Sequence, residues 1–130
     1  MALYFDTSAL LKLVVAEAET AALRVAVRSS TSDRVTSDLT RTELVRAVRR
    51  GAPDRAIAAR EVLESLTVIP VTTETFESAG RLEPSILRAL DALHLAAALS
   101  LGDDLEAVVT YDDRLADACR ANGVTVLAPR

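Results

Sequence analysis

The run Ala2-Leu3-Tyr4-Phe5 is followed at once by Asp6-Thr7-Ser8. Four consecutive apolar or aromatic residues are too few for a helix and meet capping residues on one side, so they read as a buried strand that stops at Asp6. A strand apolar on both faces belongs in a sheet covered on both sides, and such sheets are mostly parallel. Asp6 then stands at the carboxyl end of a central strand, where open α/β sheets keep their ligands. From this segment alone, a plain cap for the next helix explains Asp6 or Thr7 equally well. Other acids have to separate the two readings.

Outward from that strand, Ser8 starts a helical segment to about Ala16, and Glu17 and Glu19 lead a second helix to about Arg28. Arg34-Val35-Thr36 reads as a short second strand ending at Ser37-Asp38, a pair suited to an N-cap. A third helix runs from Asp38 to Arg50 and stops at Gly51, and Pro53 opens a fourth over about Asp54 to Leu66. Thr67 to Val71 is a β-branched third strand, placed near an edge by Pro70. A helix from Thr73 to Leu82 breaks at Pro84, and Ser85 caps a long sixth helix to about Leu101. Ala107 to Thr110 is a fourth strand, Asp112 to Asn122 a seventh helix closed by Gly123, and Val124 to Leu127 a fifth strand. Strands alternating with helices imply one α/β domain over residues 1–130: a three-layer sandwich with a parallel sheet of about five strands, about seven flanking helices and right-handed crossovers.

Composition narrows the function classes. No apolar run approaches the roughly 20 residues that cross a bilayer, and the first residues show no secretory signal. Cys119 is the only cysteine, which excludes an internal disulfide or a cysteine-based zinc site and suits a reducing cytoplasm. With 3% aromatic residues there is no stacking platform for single-stranded bases. Net charge is -4, yet between Arg41 and Arg60 six arginines stand against only Glu43 and Asp54. A basic arm carrying Arg41, Arg46, Arg49 and Arg50 beside an acidic site suits a protein that holds a polyanion while binding metal; a solvated helix face in an arginine-rich chain is the plainer account.

The sixth helix carries Asp91 between Leu87 and Leu95 on a nearly all-apolar segment. A carboxylate buried there needs a cation or hydrogen-bonding partners; Arg88 and His94, one turn either side, offer a purely structural answer. Glu43 lies at the border of the inward face of the third helix, where an exposed glutamate would need no explanation. Topology discriminates. In a parallel sheet, Asp6 ends the first strand, Glu43 lies early in the helix leaving the second, Asp91 early in the helix feeding the fourth, and Asp112 just after the fourth. All four acids reach one rim. Carboxylates so gathered raise one another's pKa unless a cation sits among them, and oxygen-only ligation points to Mg²⁺ or Mn²⁺. Such an ion generates a nucleophile from water and stabilises charge on a phosphodiester. Thr7, Ser8 and Thr110 could support the acids by hydrogen bonds. No nucleophilic triad is visible, and His94 reads as a packed helix residue rather than a base.

The segments Phe-Asp-Thr-Ser-Ala-Leu at Asp6, Thr-Glu-Leu at Glu43, Leu-Asp-Ala-Leu-His-Leu-Ala at Asp91 and Val-Thr-Tyr-Asp at Asp112 resemble the four signature segments of PIN-domain ribonucleases of the VapC toxin type. The resemblance runs over essentially the whole chain in the right order. It implies that Asp6, Glu43, Asp91 and Asp112 form the acidic metal site, with Ser8 or Thr110 in support. Asp113 is left as a first-turn helix acid, because the Thr-x-Asp spacing selects Asp112. It further implies a magnesium- or manganese-dependent endoribonuclease acting on RNA such as tRNA or ribosomal RNA, paired with a small VapB-type antitoxin. Members commonly form homodimers and bind the antitoxin through the early helices, here Leu10 to Val27 with the third and fourth helices. Antitoxins often push a basic side chain into the acidic pocket.

Two rivals use other chemistry. A phosphoryl-transfer site with a nucleophilic aspartate, as in haloacid dehalogenases or phosphate receivers, wants a later lysine. The haloacid-dehalogenase site also wants a second acid two residues on; here position 8 is serine and Lys12 is the only lysine. A non-catalytic PIN-like module that only binds RNA or a partner differs from the nuclease on a cleavage assay.

Overall fold

The computed structural model describes residues 1–130 throughout. Five strands form one sheet: β1 (Ala2–Phe5), β2 (Asp33–Ser37), β3 (Thr67–Ile69), β4 (Leu105–Val109) and β5 (Val126–Leu127), in the order β3-β2-β1-β4-β5. Every pairing is parallel, so all strands end at the same rim. Seven α-helices connect them: α1 (Thr7–Val14), α2 (Thr20–Ser29), α3 (Asp38–Gly51), α4 (Ala56–Glu64), α5 (Thr73–Gly80), α6 (Ala89–Leu99) and α7 (Asp113–Ala121). None is long and apolar enough to cross a membrane.

The first strand is central, and the strand period of two divides its side chains between two cores. Leu3 and Phe5 pack with Ala107 and Val109 of β4 against Leu10 of α1, Leu23 of α2, Leu44 of α3 and Leu63 of α4. Ala2 and Tyr4 face the other way, with Val108, against Leu95 of α6 and Leu115 and Cys119 of α7. The expected three-layer sandwich of five parallel strands and seven helices is thus present, and both faces of the sheet are covered. Cys119 is fully enclosed, and burial pushes its thiol up to about 12, so it is unreactive.

Several boundaries differ from the sequence reading. The sixth helix starts at Ala89, not Ser85, with Arg88 at its N-cap in an extended conformation, and it stops at Leu99. The residues after Pro84 form a turn instead, closed by Leu87 N–H donating to Pro84 O at 3.0 Å. The fourth helix is preceded by a separate 3-10 turn at Pro53–Arg55, and β3 ends at Ile69, so it is a short edge strand. Ser37 holds the N-cap position of α3 but makes no capping bond with its side chain; its hydroxyl instead accepts from Tyr4. Gly123 takes φ +72° directly after α7, a left-handed conformation that glycine adopts without strain.

Leu44 is fully buried under the first core, whereas Ile57 is 77% exposed. Leu44→Ala should lower unfolding free energy by about 2–5 kcal/mol, and Ile57→Ala should change it by no more than about 0.5 kcal/mol, as read from urea unfolding midpoints.

Candidate active site

Asp6 follows β1 and caps α1, accepting from the backbone of Ala9 at 3.0 Å. Capping therefore accounts for one of its bonds and leaves the others to be explained. Ser8 Oγ donates to Oδ1 at 2.7 Å and Thr110 Oγ1 donates to Oδ2 at 2.7 Å, while only 4% of the residue meets solvent. Burial pushes the Asp6 carboxyl above the usual aspartate value, although the bonds from Thr110, Ser8 and Ala9 pull the other way. The hydroxyls also hold the connection after β4: Ser8 Oγ accepts from the backbone N–H of Tyr111 at 2.9 Å, and Thr110 Oγ1 accepts from that of Asp112 at 3.0 Å.

Glu43 projects from the second turn of α3, half-buried. Its Oε1 accepts from Thr7 Oγ1 at 2.8 Å and lies 2.5 Å from His94 Nε2 of α6. Burial alone would raise this carboxyl, but the His94 hydrogen bond and charge together with Thr7 hold it below the ordinary glutamate value. His94 is a packed helix residue, yet it is not idle packing. Its Nδ1 lies 2.9 Å from Tyr4 Oη, which donates to Ser37 Oγ at 2.8 Å, and the two rings meet edge to face with centroids 6.0 Å apart. Sequence reasoning missed Tyr4 and Ser37 here, because a tyrosine inside an apolar strand carries no sign of where its hydroxyl goes. It also offered His94 to Asp91; the structure gives it to Glu43, 51 residues away in sequence.

Asp91 lies in the first turn of α6 and is partly exposed. Desolvation raises its pKa first, then the negative charges of Asp112 and Asp6, which outweigh the opposing effects of His94 and Arg88. Neither Arg88 nor His94 forms an ion pair with it. Asp112 ends the β4 connection and caps α7, with Oδ1 accepting from the backbones of Arg114 at 2.9 Å and Leu115 at 3.2 Å. Asp113 is the exposed first residue of that helix.

The charges of Asp112 and Asp6 thus reach Asp91, while Glu43 is turned toward Thr7 and His94. No three aspartate, glutamate, histidine or cysteine side chains already stand as a compact ligand set. Apart from His94, whose two ring nitrogens face Tyr4 and Glu43, the donors at this rim are oxygens. That chemistry suits a hard hydrated cation that takes only one or two carboxylates directly and keeps its waters.

Of the four basic candidates, Arg46 and Arg50 line a cleft of about 670 Å³ beside Glu43, together with Phe76 and Leu90. Arg41 is drawn to Asp38 at 3.1 Å, and Arg49 does not line that cleft.

A family model described as the PIN domain matches residues 3–121. "Ribonuclease VapC47" of Mycobacterium tuberculosis (strain CDC 1551 / Oshkosh) is 42% identical over 131 residues, spanning 98% of this chain and 96% of its own. "Ribonuclease VapC46" of Mycobacterium tuberculosis (strain ATCC 25618 / H37Rv) is 43% identical over 128 residues, spanning 98% of each. Among solved structures, Mycobacterium tuberculosis VapC20, described as a sarcin-ricin loop cleaving toxin, has the same fold with a TM-score of 0.77 at 21% identity, over 98% of this chain and 99% of that one. A toxin-antitoxin complex from Klebsiella pneumoniae matches with a TM-score of 0.75 at 21% identity, over 100% and 98%. On its parallel sheet, its signature segments and these full-length relatives, the chain belongs to the PIN-domain family, in its VapC branch.

Proposed function

We propose that this protein is a divalent-metal-dependent endoribonuclease toxin that cuts RNA phosphodiester bonds and is neutralised by a cognate VapB-type antitoxin. What supports this best is the placement of Asp6 after β1, Asp112 after β4 and Asp91 in the first turn of α6, where the charges of Asp112 and Asp6 reach Asp91. Full-length relatives named as ribonucleases support it.

Asp6, Asp91 and Asp112 would hold a Mg²⁺ or Mn²⁺ ion, with Glu43 at its margin. Bound there, the ion would lower the pKa of water and offset the phosphodiester charge. The chain's own contribution is placement. Ser8 and Thr110 aim both oxygens of Asp6, and Thr7 and His94 fix Glu43 in its charged form. Arg46 and Arg50 offer cationic contacts for RNA approaching past Glu43. An antitoxin would cover the apolar residues left exposed on the early helices, Val25 on α2, Val45 on α3 and Ile57 on α4. A homodimer working in the cytoplasm on a tRNA or ribosomal RNA completes the proposal.

Asp6→Asn and Asp91→Asn should keep the fold by circular dichroism. Each should lose Mg²⁺- or Mn²⁺-dependent RNA cleavage by more than the roughly 100-fold that removing a supporting group gives. Equal cleavage by wild type and both variants removes the nuclease reading, and cleavage by none of them leaves a binding module. Thr110→Val, which deletes a hydroxyl bonded to Asp6 and Asp112, should reduce cleavage by about 10- to 100-fold and weaken the metal dependence of the rate.

The raised Asp91 carboxyl sets a pH test. Its stability contribution is fully present below the unfolded-state value of 3.8 and is lost as pH rises through the higher folded value. Metal-free Asp91→Asn should therefore unfold at a higher temperature than wild type at neutral pH, and the gap should close as pH falls below that unfolded value. Added Mg²⁺ should raise the wild-type midpoint and leave that of Asp91→Asn nearly unmoved.

A further inference from the structure

We propose that the cleft between the Pro84–Asp91 segment and α7 seats one nucleobase of single-stranded RNA next to the scissile phosphodiester, with Arg88 and Arg114 contacting the adjoining phosphates. This rests on the nuclease reading and extends it to a recognition site in a cleft that Asp91 lines and Glu43 does not. The cleft measures about 480 Å³ and has Asp91 in its wall, so it shares that one acid with the candidate active site. That volume lies in the range of small-ligand sites, and it suits a single base rather than a helical segment of a partner.

The lining divides by chemistry. Ile86, Leu87 and Ala118 supply aliphatic surface, and Ile86 is 89% exposed on a stretch that belongs to no helix. Arg88 and Arg114 both line it, one from the N-cap of α6 and one from the first turn of α7. Asp117, on the same helix face as Arg114, is already drawn to Arg120 at 3.4 Å. Neither Arg88 nor Arg114 takes part in an ion pair. Two unpaired guanidinium groups in a cleft that includes Asp91 suit a polyanion whose cleaved bond lies at the acids and whose neighbouring phosphates lie outside them. An aliphatic slot accepts a base only if that base is unstacked, which selects single-stranded or looped RNA. With so few aromatic residues in the chain, one slot of this kind gives a local base preference instead of an extended stacking track.

The experiment digests a random-sequence single-stranded RNA pool in Mn²⁺ with wild type, Ile86→Ala and Arg114→Ala, and sequences the new ends. Each variant should raise KM for the pool about tenfold, with the loss carried by KM rather than kcat, and should flatten base preference at one position beside the cut. Ile86→Ala removes no charge, so an effect confined to Arg114→Ala would reduce the site to a general field and overturn the base seat. Unchanged KM and preference in both variants would also overturn it, and leave the cleft to a protein partner. A wild type that cuts nothing in the pool overturns the nuclease reading and the seat with it, and the wild-type lane tells that failure from the others.

Discussion

A carboxylate that is nearly sealed from water governs the layout of this molecule. Asp6 ends the central strand, and folding removes its hydration; without the hydroxyls of Ser8 and Thr110 and the Ala9 amide it would be a severe liability. Meeting that need fixes the start of α1 and the connection after β4 in one stroke, because Ser8 of the one and Thr110 of the other donate to the same carboxylate with their oxygens 3.3 Å apart. The burial that raises the Asp6 carboxyl also makes its surroundings receptive to a cation.

A second chain of bonds runs from Thr7 through Glu43 and His94 to Tyr4 and Ser37. It joins α1, α3, α6 and two strands across the top of the sheet. Tyr4 points into the layer of α6 and α7 while its neighbour Phe5 points into the layer of α1 to α4. Its hydroxyl can therefore reach His94, and His94 in turn reaches over the sheet edge to Glu43. Glu43 and Asp6 differ in consequence. One is held charged by a basic neighbour, and the other is pushed toward its neutral form by burial. Carboxylates with opposing shifts in one site can divide labour between a fixed negative charge and a cation ligand.

Charge is arranged around these acids in a way that the net value of -4 hides. Arg46 and Arg50 line a cleft on the side of Glu43, and Arg88 and Arg114 line another on the side of Asp91. Guanidinium groups in both clefts offset the repulsion that the carboxylates would exert on an approaching polyanion.

Local signals in the sequence determined the alternation of strands and helices, the buried first strand and the order of the acids along the chain, since these depend on apolar periodicity and capping chemistry within a few residues. The parallel rule then assigned Asp6, Glu43, Asp91 and Asp112 to one rim from the order of the elements. Helix starts were less legible. Ser85 looks like a cap, yet a turn after Pro84 delays α6 to Ala89, because a proline-led turn and a cap compete over the same residues. Pairings across the fold were decided only by tertiary structure. His94 serves Glu43 rather than Asp91, Ser37 serves Tyr4 rather than its own helix, and Arg88 and Arg114 come to line one cleft. Each of these depends on the direction of a side chain from one element toward another that is distant in sequence. Such directions are set by how the layers pack, and no periodicity along the chain records them.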